Sequence, residues 1–376
     1  MHWSPQQVTG LDEAAAWLKA CRSEIRAGMR LSRPIFRLFG FAGTGKTTLA
    51  KHLAGDLRSV CYAAFTGKAA LMMERNGCAG ASTIHGLIYQ VAERADGSVA
   101  FIWDADSAAK DADLLVIDEC SMVDEEIAAD LMRYGRPILV LGDPAQLPPV
   151  KGTGYFTEAQ PDVMLTEIHR QAADNPIIQL ATATRLGERL KLGEYGASRV
   201  IERGVLNGRE VLAFDQVLVG KNDTRRTYNA RMRLMAGFTE KLPEPGDRLV
   251  CLRNDKPTGI FNGGLFRVVE RLELDRKQSR DFIKLLLHSE DFPRRNGVEV
   301  KIHKSFFLGG YEDLDWRDLK GSQQFDFGYA LTCHKSQGSQ WPSVLVYDES
   351  GTFRDEWARW LYTAITRAQE KVTVVQ

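Results

Sequence analysis

The chain has 376 residues, of which 44% are hydrophobic and 26% are charged, and its 49 basic side chains balance 49 acidic ones. This composition is typical of a globular protein with two or three domains. A net charge of zero argues against a sequence-independent nucleic-acid coat, because such proteins carry a large positive charge. No run approaches the roughly 20 apolar residues of a membrane span, and the N-terminus lacks a signal-peptide pattern.

The six cysteines form no Cys-x-x-Cys pair. The spacing therefore gives no indication of a zinc site or an iron–sulfur cluster. Reduced thiols are the simpler interpretation, and they favour a cytoplasmic location.

The N-terminal segment predicts the start of a helix. Ser4 is followed by Pro5 and, three positions after Ser4, by Gln7. This is the pattern of a capping box with proline at the first helical position.

A phosphate-binding loop follows. Residues 35–39 predict a short buried strand, residues 40–47 are Gly-Phe-Ala-Gly-Thr-Gly-Lys-Thr, and residues 48–53 have helical spacing. In this strand–loop–helix order, glycines let backbone amides converge on phosphate oxygens at the positive end of a helix. Lys46 is expected to neutralise the β and γ phosphates of ATP, and Thr47 to bind Mg²⁺. The other predicted ATP contacts in this segment are Gly43, Thr44, Gly45 and Thr48.

Two acidic residues end a second apolar run. Residues 114–117 lead into Asp118 and Glu119, at the carboxyl end of a predicted parallel strand. Asp118 is expected to hold Mg²⁺, and Glu119 to activate the attacking water as a general base. A third run, residues 137–141, leads to Gln146, whose amide is suited to sensing the γ-phosphate.

Strands that alternate with helices predict an α/β fold with two RecA-like domains, each on a parallel sheet. An Asp-Gly pair between two β-rich runs in residues 88–103 predicts a β-hairpin insert. A series of strands with turn residues between them predicts a small SH3-like β-barrel as a second insert. The predicted ranges are 1–150 for domain 1A with its hairpin 1B at about 87–110, 151–243 plus 325–376 for domain 2A, and 244–324 for domain 2B.

The order of these motifs resembles superfamily 1B DNA helicases, in particular the RecD-like branch and its compact Dda type. The resemblance covers about residues 3 to 376, and its most discriminating segment is His-Lys-Ser-Gln-Gly at residues 334–338. Superfamily 1 helicases of the opposite polarity class usually carry a Lys-Gly form without this glutamine.

The resemblance implies further nucleotide contacts. Gln7 corresponds to an adenine-reading glutamine, although the capping box explains the same residue without a ligand. Arg170 and Arg367 correspond to arginines that reach the γ-phosphate, a task that suits a planar guanidinium. Gly338 is assigned to the nucleotide as well.

The resemblance also implies contacts with single-stranded DNA. Small hydroxyls, a lysine and helix N-termini suit phosphate positioning without base reading. Helix capping is the alternative for Thr66, and simple packing is the alternative for His85. Phe101 lies on the hairpin, which acts as the duplex-splitting pin in Dda-type helicases; it is a candidate for base stacking, whereas Trp103 is better explained as an anchor. The predicted DNA contacts are Thr66, Lys68, Thr83, His85, Phe101, Asn222, Thr332, His334 and Lys335.

These patterns together predict an ATP-dependent 5′→3′ DNA helicase that moves on single-stranded DNA and unwinds duplex forks, with ATP and Mg²⁺ as cofactors. It is expected to be a cytoplasmic monomer without membrane association, and replication or recombination proteins are candidate partners. One alternative is a DNA-stimulated ATPase that remodels protein–DNA complexes without processive unwinding. Another is a phosphate-loop protein that is not a helicase, against which the C-terminal motifs argue. RNA as the nucleic acid stays open.

Overall fold

The computed structural model describes residues 3–93, 99–148, 154–167, 174–255, 258, 260–291, 296–315 and 317–376. The chain forms two compact units. The first consists of Met1–Leu190, Gln337–Ser339 and Asp355–Thr366, and the second consists of Lys191–Ser336, Gln340–Arg354 and Arg367–Gln376. Within the part of the chain that the structure describes, no helix has both the length and the apolar character that a membrane crossing requires.

The first unit is built on a six-stranded parallel sheet with the order β3-β2-β6-β7-β1-β8. Successive residues of a strand face opposite sides of a sheet. Leu114 and Val116 accordingly pack into one apolar core, and Leu115 and Ile117 pack into the other. This burial on both faces explains why residues 114–117 and 138–141 are uniformly apolar. The strands are β1 (Ile35–Gly40), β2 (Val60–Ala64), β3 (Ser82–Thr83), β6 (Leu114–Asp118), β7 (Ile138–Gly142) and β8 (Val163–Leu165).

Helices flank this sheet, and the first of them, α1 (Pro5–Arg26), begins with the predicted capping box. The short helices on the loops after β2 and β3 start at threonine caps. The helices of the first unit, labelled in chain order, are α1, α2 (Lys46–Ala54), α3 (Gly67–Arg75), α4 (Ile84–Ile88), α5 (Glu125–Met132), α6 (Tyr155–Glu158), α7 (Pro176–Arg185) and α11 (Trp357–Ile365).

The predicted β-hairpin is present. Strands β4 (Tyr89–Glu93) and β5 (Val99–Trp103) pair antiparallel, while the Asp-Gly pair predicted for its turn falls outside the described residues. Trp103 anchors the base of the hairpin: its indole nitrogen donates to the Asp130 carbonyl at 3.2 Å, and the Arg133 guanidinium lies 3.9 Å from its ring centroid. The structure therefore supports the anchor interpretation of Trp103.

The second unit contains a six-stranded sheet with the order β17-β11-β18-β19-β10-β9, parallel apart from the β9–β10 pair. The predicted α/β fold with two parallel sheets is thus confirmed. The strands are β9 (Gly193–Tyr195), β10 (Ser198–Ile201), β11 (Gln216–Val219), β17 (Ala330–Thr332), β18 (Trp341–Tyr347) and β19 (Ala368–Val375), and the helices of this unit are α8 (Gly208–Leu212), α9 (Asn222–Met235) and α10 (Ser305–Leu308).

The second unit also carries a five-stranded antiparallel sheet with the order β15-β14-β13-β12-β16. It corresponds to the predicted β-rich insert, and its closure into an SH3-like barrel stays a prediction. The strands are β12 (Arg248–Cys251), β13 (Leu265–Leu272), β14 (Phe282–Ser289), β15 (Val298–His303) and β16 (Phe325–Phe327).

The boundaries of the compact units differ from the predicted domain ranges. Strand β8 joins the first sheet beside β1, beyond the predicted boundary at residue 150, and the first unit continues to Leu190. Helix α11 also belongs to the first unit, although the sequence analysis placed it in domain 2A. A three-residue strand and a helix from a distant part of the chain have no local pattern that reveals which sheet they join.

The second unit contains a buried ion pair. The Asp247 carboxylate is fully buried and accepts from Arg233 Nη2 at 2.7 Å, from the Tyr329 hydroxyl at 2.9 Å and from the Glu244 amide at 2.8 Å. We expect Asp247→Ala to lower the free energy of unfolding by about 3–5 kcal/mol, because the substitution removes the nearest carboxylate from the buried Arg233 charge and leaves only Glu244, at 3.8 Å. Chemical denaturation measures this change.

Asp106→Ala is the matched control. Asp106 forms an ion pair with Lys110 at 3.1 Å, but its side chain is 87% exposed. Exposed pairs contribute at most about 1 kcal/mol, so little change in unfolding is expected for this variant. Equal losses in the two variants would contradict the role given to burial.

Candidate nucleotide and nucleic-acid sites

The phosphate loop joins β1 to α2 through a turn that requires glycine. Gly43 and Gly45 have φ values of 78° and 82°, a left-handed conformation that only glycine adopts readily. A Cβ atom on Gly40 would lie 2.5 Å from Thr44 Oγ1 and 2.8 Å from Leu165 Cβ. The glycines of the motif therefore allow the chain to turn tightly in front of the first turn of α2, which also carries Thr48.

Lys46 and Thr47 occupy the first positions of α2. The Lys46 ammonium donates to the Gly40 carbonyl at 2.7 Å and to the Phe41 carbonyl at 3.2 Å, so the charge lies across the loop. The Thr47 hydroxyl lies 3.3 Å from Asp118 Oδ2. A hydroxyl and a carboxylate side by side are hard oxygen donors of the kind that Mg²⁺ prefers, so these residues fit the predicted metal.

Asp118 and Glu119 lie at the carboxyl end of β6. Burial raises the pKa of Asp118, and the Glu119 amide, which donates to it at 2.8 Å, opposes this shift together with the Lys46 charge. Glu119 has a φ of 51° and a ψ of 45°, a left-handed conformation that is unfavourable for a residue with a side chain. Such backbone strain is found preferentially at functional sites.

Gln146 follows β7 in a turn organised by Asp143. Asp143 Oδ1 accepts from the Ala145 amide at 3.0 Å, and the Gln146 amide donates to the Asp143 carbonyl at 3.1 Å. The side-chain oxygen of Gln146 is buried and has no hydrogen-bond partner among the described residues. Buried polar atoms are normally paired, so this oxygen is a candidate for contact with a ligand or its water.

Two consecutive glutamines attach α1 to the nucleotide loop and to the sheet. Gln7 completes the capping box with Ser4, and its amide nitrogen donates to the Thr44 carbonyl at 2.9 Å. The capping interpretation is therefore confirmed, and adenine recognition stays a prediction. Gln6, which the sequence analysis did not select, accepts through its side-chain oxygen from the Thr166 and Glu167 amides.

Gly338 lies against α3. A Cβ atom on Gly338 would lie 2.7 Å from Thr66 Oγ1 and 2.8 Å from Ala69 Cβ. The preceding residue, Gln337, donates to the Leu147 carbonyl at 2.9 Å. The structure thus groups Gly338 with a predicted DNA contact, whereas the sequence analysis assigned it to the nucleotide. Motif order along the chain does not reveal this packing.

The predicted DNA contacts of the first unit mostly lie at helix starts. The side chain of Thr66 caps α3 by accepting from the Ala69 amide at 3.1 Å, and that of Thr83 caps α4 by accepting from the Gly86 amide at 2.9 Å. The capping interpretation of Thr66 is therefore confirmed, and DNA contact stays a prediction for both residues. Lys68 is only 6% exposed.

An aromatic cluster lies beside the hairpin and consists of Phe65, His85, Tyr89 and Phe101. The His85 ring centroid lies 5.9 Å from that of Phe65, 5.6 Å from that of Tyr89 and 5.7 Å from that of Phe101. Tyr89 is fixed in turn by a 2.7 Å hydrogen bond to Asp130. Phe101 nevertheless stays 55% exposed. The cluster therefore supports an exposed aromatic ring of the kind on which nucleic-acid bases stack.

In the second unit, the N-terminus of α9 is occupied by a carboxylate. Glu349 accepts from the Gly220 amide at 2.7 Å, from the Lys221 amide at 3.0 Å and from the Thr224 hydroxyl at 2.7 Å. Asn222, the predicted phosphate contact, accepts from Arg225 at 3.3 Å. Glu349 gives no local sequence signal of this role, because it lies more than a hundred residues beyond the helix that it caps.

Thr332, His334 and Lys335 lie at the end of β17. The Thr332 hydroxyl accepts from the Lys335 amide at 3.3 Å. Burial lowers the pKa of His334. Lys335 is exposed at the surface, yet desolvation by the surrounding groups and the nearby Arg225 charge lower its pKa to about 8. We expect its exposure to limit this shift, so that the ammonium stays charged at neutral pH.

Arg367 is the one of the two predicted arginines that lies among the described residues. Arg367 is 3% exposed, and its carbonyl accepts from the Trp341 amide at 2.9 Å. Arg170 lies outside the described residues. Their contact with the γ-phosphate stays a prediction.

Two family models match the chain. Residues 23–205 match the AAA domain family, and residues 327–375 match the UvrD-like helicase C-terminal domain. The ATP-dependent RecD2 DNA helicase of Deinococcus radiodurans is 30% identical over 363 residues, which cover 89% of this chain. The chain is thus similar to this RecD2 helicase over most of its length.

The chain spans 46% of the length of the Deinococcus protein. It is also 26% identical over 413 residues to the RecD subunit of the Mycobacterium tuberculosis RecBCD enzyme, covering 93% of this chain and 68% of that subunit. The predicted resemblance to the RecD-like branch is confirmed.

Solved structures of helicases share the fold of the chain. The Pif1 helicase of Candida albicans has a TM-score of 0.55 at 20% identity and covers 100% of this chain and 94% of its own. Bacteroides Pif1 bound to single-stranded DNA has a TM-score of 0.56 at 18% identity and covers 99% and 92% respectively. The chain therefore has the same overall fold as these two Pif1 structures.

Proposed function

We propose that the chain is an ATP-dependent DNA helicase that moves 5′→3′ along single-stranded DNA and unwinds duplex DNA. The observation that carries the proposal is the convergence of Lys46, Thr47 and Asp118, with Glu119 on the adjoining strained turn. A loop cation, two oxygen ligands and a neighbouring carboxylate are the groups that phosphoryl transfer to water requires.

The role of each group follows from its position. Thr47 and Asp118 would hold Mg²⁺, which when bound neutralises charge on the β and γ phosphates. The Lys46 ammonium would exchange its two loop carbonyls for phosphate oxygens. Glu119 would accept the proton of the attacking water. Gln146, whose side-chain oxygen is unpaired among the described residues, would contact that water or the γ-phosphate.

DNA as the polymer is supported by the hydroxyls at helix starts and by the exposed Phe101 ring. Hydroxyl groups and helix N-termini bind phosphates without reading bases, whereas an aromatic ring stacks on any base. Both features suit a protein that moves along DNA of any sequence. The RecD2 relative is named a DNA helicase, and a Pif1 neighbour was solved with single-stranded DNA.

Polarity, assembly and location complete the proposal. The 5′→3′ direction rests on the likeness to the RecD-like branch. We propose a monomer that acts at DNA forks in the cytoplasm, with replication or recombination proteins as partners, and all six cysteines are free thiols, as a reducing compartment favours.

The test measures ATP hydrolysis with and without single-stranded DNA, followed by unwinding of duplexes with a 5′ or a 3′ tail. We expect DNA to stimulate hydrolysis and only the 5′-tailed duplex to open. Hydrolysis that is indifferent to DNA would refute the motor. DNA-stimulated hydrolysis without strand separation would instead favour a remodelling ATPase, a function with which the short hairpin of five-residue strands is compatible.

A further inference from the structure

The phosphate loop has a hydrogen-bond partner in a distant helix. Tyr362, in α11, is 2% exposed. Its hydroxyl accepts from the Ala42 amide at 2.9 Å and donates to Asp143 Oδ2 at 2.7 Å. A single oxygen atom thus joins the phosphate loop after β1 to the turn after β7. Burial and the nearby Asp143 carboxylate raise the pKa of Tyr362, so the hydroxyl keeps the proton that it donates.

The next residue of the same helix reinforces this connection. The Thr363 hydroxyl accepts from the Leu147 amide at 2.9 Å, directly after Gln146. Thr363 is fully buried. Tyr362 and Thr363 therefore bind the two ends of the turn that contains Gln146. Tyr362 also binds the phosphate loop.

We propose that Tyr362 is a positioning residue of the nucleotide site, whose hydroxyl keeps the phosphate loop and the Gln146 turn in one arrangement. The inference rests on the proposed ATP-binding function. A phosphate loop binds well only when its amides are already oriented, because reorienting them would consume binding free energy. With the Ala42 amide held by Tyr362, the start of the loop cannot rotate without breaking this partly buried hydrogen bond.

A merely structural tyrosine would behave differently, and the chain contains a matched example. The Tyr329 hydroxyl, in the second unit, accepts from the Arg248 amide at 3.2 Å and donates to Asp247 Oδ1 at 2.9 Å. Tyr329 is 5% exposed. Both tyrosines therefore join a backbone amide to a buried carboxylate, but only Tyr362 does so at the phosphate loop.

The experiment compares Tyr362→Phe and Tyr329→Phe with the wild type, at a temperature where all three are folded. Calorimetry measures the Kd of ADP, which needs the loop but no γ-phosphate, and steady-state kinetics give the KM of ATP. Both variants are expected to lose thermal stability, since each removes one hydrogen bond from a buried carboxylate and leaves a backbone amide without the tyrosine oxygen that accepts from it. Tyr362→Phe alone is expected to raise the ADP Kd and the ATP KM, by about five- to tenfold, the value of one hydrogen bond.

The ADP Kd values distinguish failure of the inference about Tyr362 from failure of the proposed function. An ADP Kd in Tyr362→Phe equal to that of the wild type overturns the inference and leaves the proposed function standing. A wild-type chain that binds no ADP overturns the proposed function itself. If Tyr362→Phe does not fold, Asp143→Asn decides instead: its amide replaces one carboxylate oxygen, so weaker ADP binding supports the inference and unchanged binding overturns it.

Discussion

Replacing Lys46 with alanine is expected to abolish ATP hydrolysis, with a fall of at least about 100-fold. The ammonium lies across the loop, within 2.7 Å of the Gly40 carbonyl and 3.2 Å of the Phe41 carbonyl, where phosphate oxygens would take the place of these acceptors. Alanine removes the positive charge and leaves the glycine turn unchanged. Phosphate release with saturating single-stranded DNA measures the effect.

Lys51→Ala is the matched control for this variant. Lys51 lies in the same helix, and its ammonium donates to the Asn76 carbonyl, away from the loop. Hydrolysis by Lys51→Ala should match that of the wild type. If Lys46→Ala retains most of its activity, or if both variants lose it equally, the assignment of the phosphate loop is wrong.

Glu119→Gln is expected to lower kcat by about two to four orders of magnitude while ATP still binds. The amide has nearly the shape of the carboxylate but cannot accept a proton from water. The strained φ of 51° belongs to the backbone, so an isosteric substitution leaves it in place. Single-turnover hydrolysis gives the rate, and binding of a nucleotide analogue shows that the site is intact.

Glu125→Gln provides the comparison, because Glu125 is exposed in the first turn of α5 and close to Glu119 in the sequence. Its kcat should equal that of the wild type. Normal turnover in Glu119→Gln would mean that another group removes the proton. Loss of nucleotide binding would mean that Glu119 has a binding role instead.

The parts of the fold that the sequence predicts are those with a local signal. The runs that form β6 and β7 are apolar throughout, because both faces of a parallel strand are covered. Gly43 and Gly45 predict the turn in which they lie, since residues other than glycine rarely adopt its positive φ values. These local signals are sufficient to place Lys46, Thr47 and Asp118 in one site.

The parts that the sequence does not predict depend on contacts between distant segments. No local pattern shows that Gly338 packs on the start of α3, or that Glu349 caps α9. The left-handed backbone of Glu119 gives no signal either, because a glutamate in that position looks like any other strand end. The contact between the Tyr362 hydroxyl and Ala42 joins segments at opposite ends of the chain, so neither segment indicates it alone.

The separation between Ala42 and Tyr362 has a consequence for biosynthesis. The two residues lie 320 positions apart, and the second unit is encoded almost entirely between them. A ribosome must therefore make nearly the whole second unit before α11, the last helix of the first unit, can dock. Contacts of such long range form slowly, and nascent chains with uncovered apolar surface are prone to aggregation. We therefore expect the N-terminal region to depend on chaperones until α11 emerges, with its buried Trp360, Leu361 and Ile365.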